Sequence, residues 1–302
     1  MIQISHECPI ALLERSRQFN DYDYALVHLF EKYPDYYKYF EDSLELGREV
    51  ILDNSLFELG QSFDPAEYVK WVRKLKPTWF ILPDIRNNGS ATVDAFLDFL
   101  ELYEDTIDWS KSKAIGVVHG KTANEMLECY IGLDGIEKCS KISFPVYSDA
   151  YLNRAKDLEI EGSKYYRMMM GRWSVISDIM ESVDKENRKP HHILGVSLPQ
   201  EISFYGRSEY FNKDTDSCDT SNPVLHGIEG ILYGENGLNH KSSTMMCDIM
   251  EIEEKNIGDI LYNVSEFRKY ADPLSPASLR NLEKSTDDIT GFILNKKQDL
   301  TI

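Results

Sequence analysis

Val50-Ile51-Leu52-Asp53 is a short apolar run, mostly β-branched, that stops abruptly on a carboxylate. The pattern returns at Phe80-Ile81-Leu82-Pro83-Asp84, which ends on a second aspartate, and at Ile115-Gly116-Val117-Val118-His119, which ends on an imidazole. Ser217-Cys218-Asp219 closes the series. Continuous apolar runs of this kind read as strands buried on both faces, as in a parallel sheet covered by helices. Polar residues at the ends of such strands point into the crevice of a (β/α) barrel.

Working outward, strands are expected near Gln3–Ser5, Tyr24–Phe30, Glu49–Asp53, Trp79–Pro83, Ala114–His119, Lys141–Pro145, His192–Val196 and Asp216–Asp219, with amphipathic helices between most of them. Eight strands suffice for a closed barrel. Asp64-Pro65-Ala66-Glu67 supplies a cap, a first-turn proline and an early acid before a helix over Tyr68–Leu75, and Ser90 or Thr92 is expected to cap Val93–Leu102. The chain has 302 residues and 42% hydrophobic content, enough for one such barrel of roughly 250 residues. The fold class is therefore α/β, a (β/α)8 TIM barrel over 1–240, with a C-terminal extension over 241–302 packed on it. That extension is expected to be helical over about Ser243–Glu253 and Ile257–Tyr270.

The balance of 51 acidic against 33 basic residues, a formal charge of −18, argues against a protein that coats nucleic acid by bulk attraction. A local basic groove stays compatible with it. Cys8, Cys129, Cys139, Cys218 and Cys247 are odd in number, scattered, and form no Cys-x-x-Cys pair, so neither a disulfide framework nor a zinc ribbon is indicated. No apolar stretch approaches the ~20 residues of a membrane span, and no basic-then-apolar leader opens the chain. A soluble protein of a reducing, cytoplasmic compartment is expected, with no membrane partner.

The residues around the strand ends carry a further pattern. Asp53-Asn54-Ser55-Leu56-Phe57 keeps an Asp-x-x-x-Phe spacing, Gly116-Val117-Val118-His119-Gly120 a Gly-x-Val-x-Gly frame, and Asp219-Thr220-Ser221-Asn222-Pro223 an Asp-x-x-x-Pro spacing. In this order, over roughly residues 45 to 225, the chain resembles the queuine and archaeosine tRNA-guanine transglycosylase superfamily. Its barrels carry Asp-Ser-Gly-Gly-Phe/Tyr, a later strand-end Asp, Gly-Ile-Val-Gln-Gly and a last-strand Asp-Cys-Val-Leu-Pro. No single motif is specific; their joint order at successive strand ends is what counts.

Departures from the superfamily narrow the resemblance. The tRNA enzymes hold zinc with Cys-x-Cys-x-x-Cys plus His beyond the last strand, where this chain has only Cys247 and the scattered His226 and His240, so no zinc subdomain is expected. A Gly-Gly-Leu segment is replaced by Ile142-Ser143-Phe144-Pro145-Val146-Tyr147, and Pro-Thr-Arg by Pro223-Val224-Leu225. A short relative without zinc is most similar to the phage and bacterial branch that exchanges guanine in DNA for a 7-deazaguanine such as preQ0. The resemblance thus implies DNA as partner, tRNA as the alternative, and a 7-deazaguanine base as small substrate, in the host cytoplasm if phage-encoded. A homodimer or an accessory DNA-binding subunit stays open as a source of the basic surface that an acidic chain lacks.

The residue types suit this chemistry in their own right. Base exchange at one anomeric carbon without net hydrolysis calls for two displacements, and a carboxylate is a suitable nucleophile because its ester to C1′ is reversible. Asp219 is the candidate nucleophile, preferred over Asp216 by the proline spacing. Asp53 is the candidate acid–base group, which protonates the departing purine and deprotonates the incoming one. Asp84 can accept from the N1–H and amino edge of guanine, and His119, at the place of the family's Gln, can donate to O6. Phe57 is placed to stack on the base, Asn54 and Ser55 to add hydrogen bonds, and Gly120 of the Gly-x-Val-x-Gly frame belongs to the same substrate-binding set. Arg86, Lys121, Arg167, Arg172 and Arg207 are the candidates for holding an extruded nucleotide's backbone. No metal and no cofactor are expected, since double displacement needs neither redox chemistry nor an energy source. Met168-Met169-Met170 and Met245-Met246 read as packing, Asp184–Lys189 as a solvated face, and His191-His192 as neighbours on opposite faces of a strand. A non-catalytic nucleic-acid-binding barrel is the reading from another class, and it calls for disrupted rim carboxylates.

Overall fold

Each apolar run folds as a strand, and helical chain returns over the outside of the sheet after it. A computed structural model describes residues 2–183, 188–208, 210–211, 216–234, 238, 240–246, 249 and 251–272, with the side chain of Arg207 outside that description. The first half runs β1 (Gln3–His6), α1 (Leu13–Ser16), β2 (Asp23–Leu26), α2 (Leu29–Lys32), α3 (Pro34–Glu45), β3 (Val50–Asp53), α4 (Leu56–Leu59), α5 (Pro65–Leu75), β4 (Trp79–Ile81) and α6 (Gly89–Tyr103). The second runs β5 (Lys113–Val117), α7 (Ala123–Asp134), β6 (Cys139–Phe144), α8 (Asp149–Asp157), α9 (Lys164–Ser182), β7 (His191–Ile193), α10 (Pro199–Arg207), β8 (Ser217–Thr220), α11 (Asn222–Ile228) and α12 (Glu254–Ala271).

All strand pairs are parallel, in the order β1-β8-β7-β6-β5-β4-β3-β2, and wrap into a (β/α)8 TIM barrel. Its two terminal strands, β1 and β2, meet at a seam that has no ladder but one backbone bond, from the Asp21 amide to the Ile4 carbonyl at 3.0 Å, and several side-chain bonds. Asp21 Oδ2 accepts the Ile4 amide at 2.8 Å, and Asn20 accepts the His6 amide at 2.7 Å while donating to the His6 carbonyl at 2.9 Å. These groups satisfy backbone donors that an unpaired strand would leave buried and bare.

The core lies between barrel and helices, where residues such as Phe80, Phe96, Phe99, Ile115, Ile142 and Val175 are fully buried. Inside the barrel, side chains from alternate strands share layers. One such layer holds Lys141 of β6, whose Nζ lies 3.3 Å from Ser217 Oγ of β8 and 4.3 Å from the ring of Trp79 of β4. Cap chemistry follows the expectation at Asp64, whose side chain accepts the Ala66 and Glu67 amides. At α6 it does not: Asn88 is the cap, and Thr92 Oγ1 turns back to the Ile85 and Asn88 carbonyls.

Two further expectations are corrected. The strand expected over Tyr24–Phe30 stops at Leu26 and gives way to α2, because an apolar run this short suits a buried helical turn equally well. No α-helix forms among the described residues of 243–253. There Ser242 Oγ and Thr244 Oγ1 each donate to Glu229 at 2.6 Å, and the Thr244 amide donates to Ser242 Oγ, local bonds that compete with a helix.

α12 covers the Ile257–Tyr270 expectation and packs on the barrel through buried polar anchors. Asn263 Nδ2 donates to the Pro223 and Ile231 carbonyls, and Asn256 Nδ2 to those of Gly227 and Ile228. Arg268 reaches the seam, donating to the Ile4 and Phe19 carbonyls and pairing with Asp21 at 3.3 Å. Residues 273–302 of the expected extension lie outside the described residues. Among the described residues no helix is long and apolar enough to cross a membrane.

Candidate active site

The C-terminal ends of the strands open into a cavity of about 290 Å³. Asp53, Asp84, His119 and Asp219 all line it, as do Asn54, Phe57 and Arg86. These residues come from four different strand ends or the loops behind them and meet around one space.

Asp219 ends the inner face of β8. The Gly195 amide donates to both of its oxygens, at 3.0 and 3.1 Å, and His192 Nε2 lies 3.1 Å from Oδ1. Gly195 has φ +61°, and a Cβ there would lie 3.0 Å from Val146 Cβ, so a glycine is what lets this amide face the carboxylate. The Asp-x-x-x-Pro spacing has a local cause, because Pro223 occupies the first turn of α11 directly behind β8. Asp216 sits at the opposite end of β8, accepting the His191 amide far from the cavity.

Asp53, at the end of β3, accepts hydrogen bonds from the Tyr24 hydroxyl and the Ser55 amide. Burial, reinforced by the nearby Glu58 carboxylate, pushes its pKa well above the usual range, against the pull of those two donors. Two further carboxyls share the cavity. Glu7, just beyond β1, is raised by burial and by Asp219, to which it is hydrogen-bonded. Glu58, on α4, is pushed up to about 7, chiefly by burial. Lys241 also lines the cavity, with its pKa drawn down to about 8 by burial. Glu7, Asp53 and Glu58 thus all hold their protons to higher pH than exposed carboxyls do, and they titrate as a coupled group.

Asp84 and His119 are tied to each other, with Nε2 2.6 Å from Asp84 Oδ2. Asn54 Nδ2 donates to Asp84 Oδ1 at 2.7 Å, and the Asn87 amide donates to His119 Nδ1 at 3.4 Å. These partners assign the His119 proton to Nε2, facing the carboxylate. Both base-recognition candidates are thus held in place before any ligand arrives.

Phe57 is 42% exposed and lies parallel to Tyr147, ring centroids 5.9 Å apart and planes 5° from parallel. Lys241 Nζ sits 5.3 Å from the Phe57 centroid and 5.0 Å from that of Tyr147. The cavity mouth is therefore an aromatic pair crossed by a cation.

Other candidates fall elsewhere. Ser55 is buried and does not line the cavity; its amide holds Asp53 and its hydroxyl meets His28 Nδ1 at 2.8 Å. Gly120 does not line it either, being pressed against the start of α7, where a Cβ would come 2.7 Å from the Met126 amide. Arg86, Lys121 and Arg167 are exposed, as a nucleic-acid contact requires, and of these Arg86 reaches the cavity. Arg172 is a correction. It is buried, paired with Glu201 at 2.6 Å, and donates to the Pro145 and Leu194 carbonyls, so it braces the loops after β6 and β7 and cannot hold a nucleotide. Arg207 has its side chain outside the described residues, and Cys247 lies outside them altogether.

The sequence does not single out Glu7, Glu58, Gly195 or Lys241, and it marks His192 only as the opposite-face neighbour of His191. Glu7 follows a four-residue strand with no apolar run to mark its end, and Lys241 sits in an irregular segment. His192 faces inward while His191 faces Tyr130 and Phe144 outside the barrel, as strand alternation requires. Met168, Met169 and Met170 are buried in the packing. Among the described residues no group of three or more His, Cys, Asp or Glu side chains is placed to hold a metal ion. No protein-family model matches the chain, and none of the curated proteins matches it.

Proposed function

We propose that this protein is a base-exchanging transglycosylase that replaces guanine in DNA with a 7-deazaguanine base of the preQ0 type. The observation that carries the reading is the meeting of two carboxyls with different surroundings in one cavity. Asp219 accepts N–H donors from Gly195 and His192, and the pKa of Asp53 is raised by burial.

In the first displacement an Asp219 oxygen bonds to C1′ as the bond from C1′ to the guanine N9 breaks. The electron pair leaves with the purine, which takes the Asp53 proton. The incoming base then loses its N9 proton to the Asp53 carboxylate and bonds to C1′, and the ester to Asp219 breaks. Both carboxyls return to their starting states, so no cofactor enters the balance. Asp84, oriented by His119 and Asn54, presents its carboxylate to the purine edge; the His119 N–H is spent on Asp84, so His119 holds that acceptor in place instead of donating to O6, and Phe57 and Tyr147 offer aromatic faces at the mouth. A target base inside a duplex has to leave its stack to reach such a cavity. DNA rather than tRNA is favoured by the absence of the tRNA enzymes' cysteine-rich zinc motif from the sequence.

The test is incubation of the purified protein with duplex DNA, or separately with tRNA, and preQ0, followed by nucleoside mass spectrometry. Incorporation into DNA is expected, with none from Asp219→Ala. Incorporation into tRNA alone moves the substrate to tRNA, and none into either leaves a binding barrel.

A further inference from the structure

We infer that His192 positions the Asp219 carboxylate for attack, and that its own orientation is set from beneath by Ser217 and Lys141. The inference rests on the transglycosylase reading, which needs a nucleophile but assigns no group to aim it.

The barrel interior builds this column layer by layer. Ser217 and Asp219 are two residues apart on β8 and so point to the same inner face, with His192 of the neighbouring β7 between them. Ser217 Oγ lies 2.9 Å from His192 Nδ1, and Nε2 lies 3.1 Å from Asp219 Oδ1. The direction of the protons follows from the lowest member. A lysine ammonium has three donors and no acceptor, so Ser217 Oγ accepts from Lys141 Nζ at 3.3 Å. Ser217 is then left to donate its own hydrogen to His192 Nδ1. A neutral imidazole that accepts at Nδ1 carries its proton at Nε2, and that proton goes to Asp219. Burial disfavours the doubly protonated ring, in keeping with this arrangement.

The consequence is an asymmetric nucleophile. Of the His192 and Gly195 donors, Asp219 Oδ1 receives both and Oδ2 only Gly195, with Glu7 a further hydrogen-bond partner of the same carboxyl. Oδ2 is the oxygen that bonds to C1′ as C1′–N9 breaks, and neither His192 nor Lys141 gains or loses a proton in the step. The His192 ring also lies against Tyr24, centroids 5.9 Å apart and planes at 18°, and the Tyr24 hydroxyl binds Asp53. One ring stack therefore spaces the two reacting carboxyls.

The experiment measures kcat and KM for preQ0 in DNA base exchange by wild type, His192→Phe, His192→Gln and Ser217→Ala, with thermal melting of each. His192→Phe keeps a ring against Tyr24 and loses the N–H; kcat is expected to fall about 10²-fold, the size of losing one preorganised donor, with KM little changed. His192→Gln restores an N–H and is expected to recover much of that loss. Ser217→Ala, which frees the tautomer with little change of volume, is expected to lower kcat and leave KM alone, and it carries the test should His192→Phe not fold. Wild-type kcat in both His192→Phe and Ser217→Ala overturns the role, as does a loss seen wholly in KM. A wild-type protein without exchange activity overturns the transglycosylase reading itself, which separates the two failures.

Discussion

Burial lets the Asp53 carboxyl keep its proton to higher pH than an exposed aspartate does. A general acid works only while it holds that proton, so the first displacement is expected to slow as pH rises through the raised pKa. Asp53→Asn keeps the shape and removes the proton; it should lower kcat by about 10²–10⁴-fold and abolish the alkaline limb. A pH–rate profile of both proteins checks this, and the limb belongs to the coupled carboxyl cluster rather than to one residue. Asp53, Asp84, His119 and Asp219 could be read from sequence because each ends a run whose apolar character marks a buried strand. His192 could not, because a histidine within a strand looks the same whether it packs against helices, as His191 does, or faces a carboxylate.

At the scale of elements, the pair of helices α9 and α10 is fastened to the cavity by one buried ion pair. Arg172 of α9 joins Glu201 of α10 at 2.6 Å, and the same guanidinium holds the Pro145 and Leu194 carbonyls behind β6 and β7. Tyr205 donates to the same glutamate at 2.7 Å. Removing one partner strands a buried charge, so Arg172→Met is expected to cost ~3–5 kcal/mol in denaturant unfolding. The affinity of the folded fraction for nucleic acid should be unchanged, whereas Arg86→Ala, at the cavity rim, should weaken it. Sequence alone placed Arg172 among the nucleic-acid contacts because an arginine on an amphipathic helix is most often solvated, and only tertiary packing shows which face it takes. The same limit explains the region after Pro223: hydrophobic periodicity located α12, but the Ser242-to-Thr244 segment spends its hydroxyls on Glu229 instead of on a helix.

For the whole molecule, barrel closure was legible as a count of eight strands, and the seam was not. Nothing in the residues of β1 and β2 announces that Asn20, Asp21 and Arg268 will replace a ladder between them. Arg268→Ala removes the outer fastening and leaves the seven ladders intact. Hydrogen exchange is expected to quicken at the Ile4 and His6 amides while those of β5 and β6 stay as slow as in the wild type. A uniform change across the sheet would show that the seam and the barrel open together.

The position of that fastening along the chain also sets an order of events in synthesis. Ile4, Phe19 and Asp21 leave the ribosome at least 247 residues ahead of Arg268, the arginine that clasps them. The nascent barrel must therefore wait, with its first two strands fastened only by Asn20 and Asp21, until nearly all of the described chain has emerged. Loop closure over so long a stretch is slow, and the waiting edge of β1 is where a newborn chain would be most in need of a chaperone.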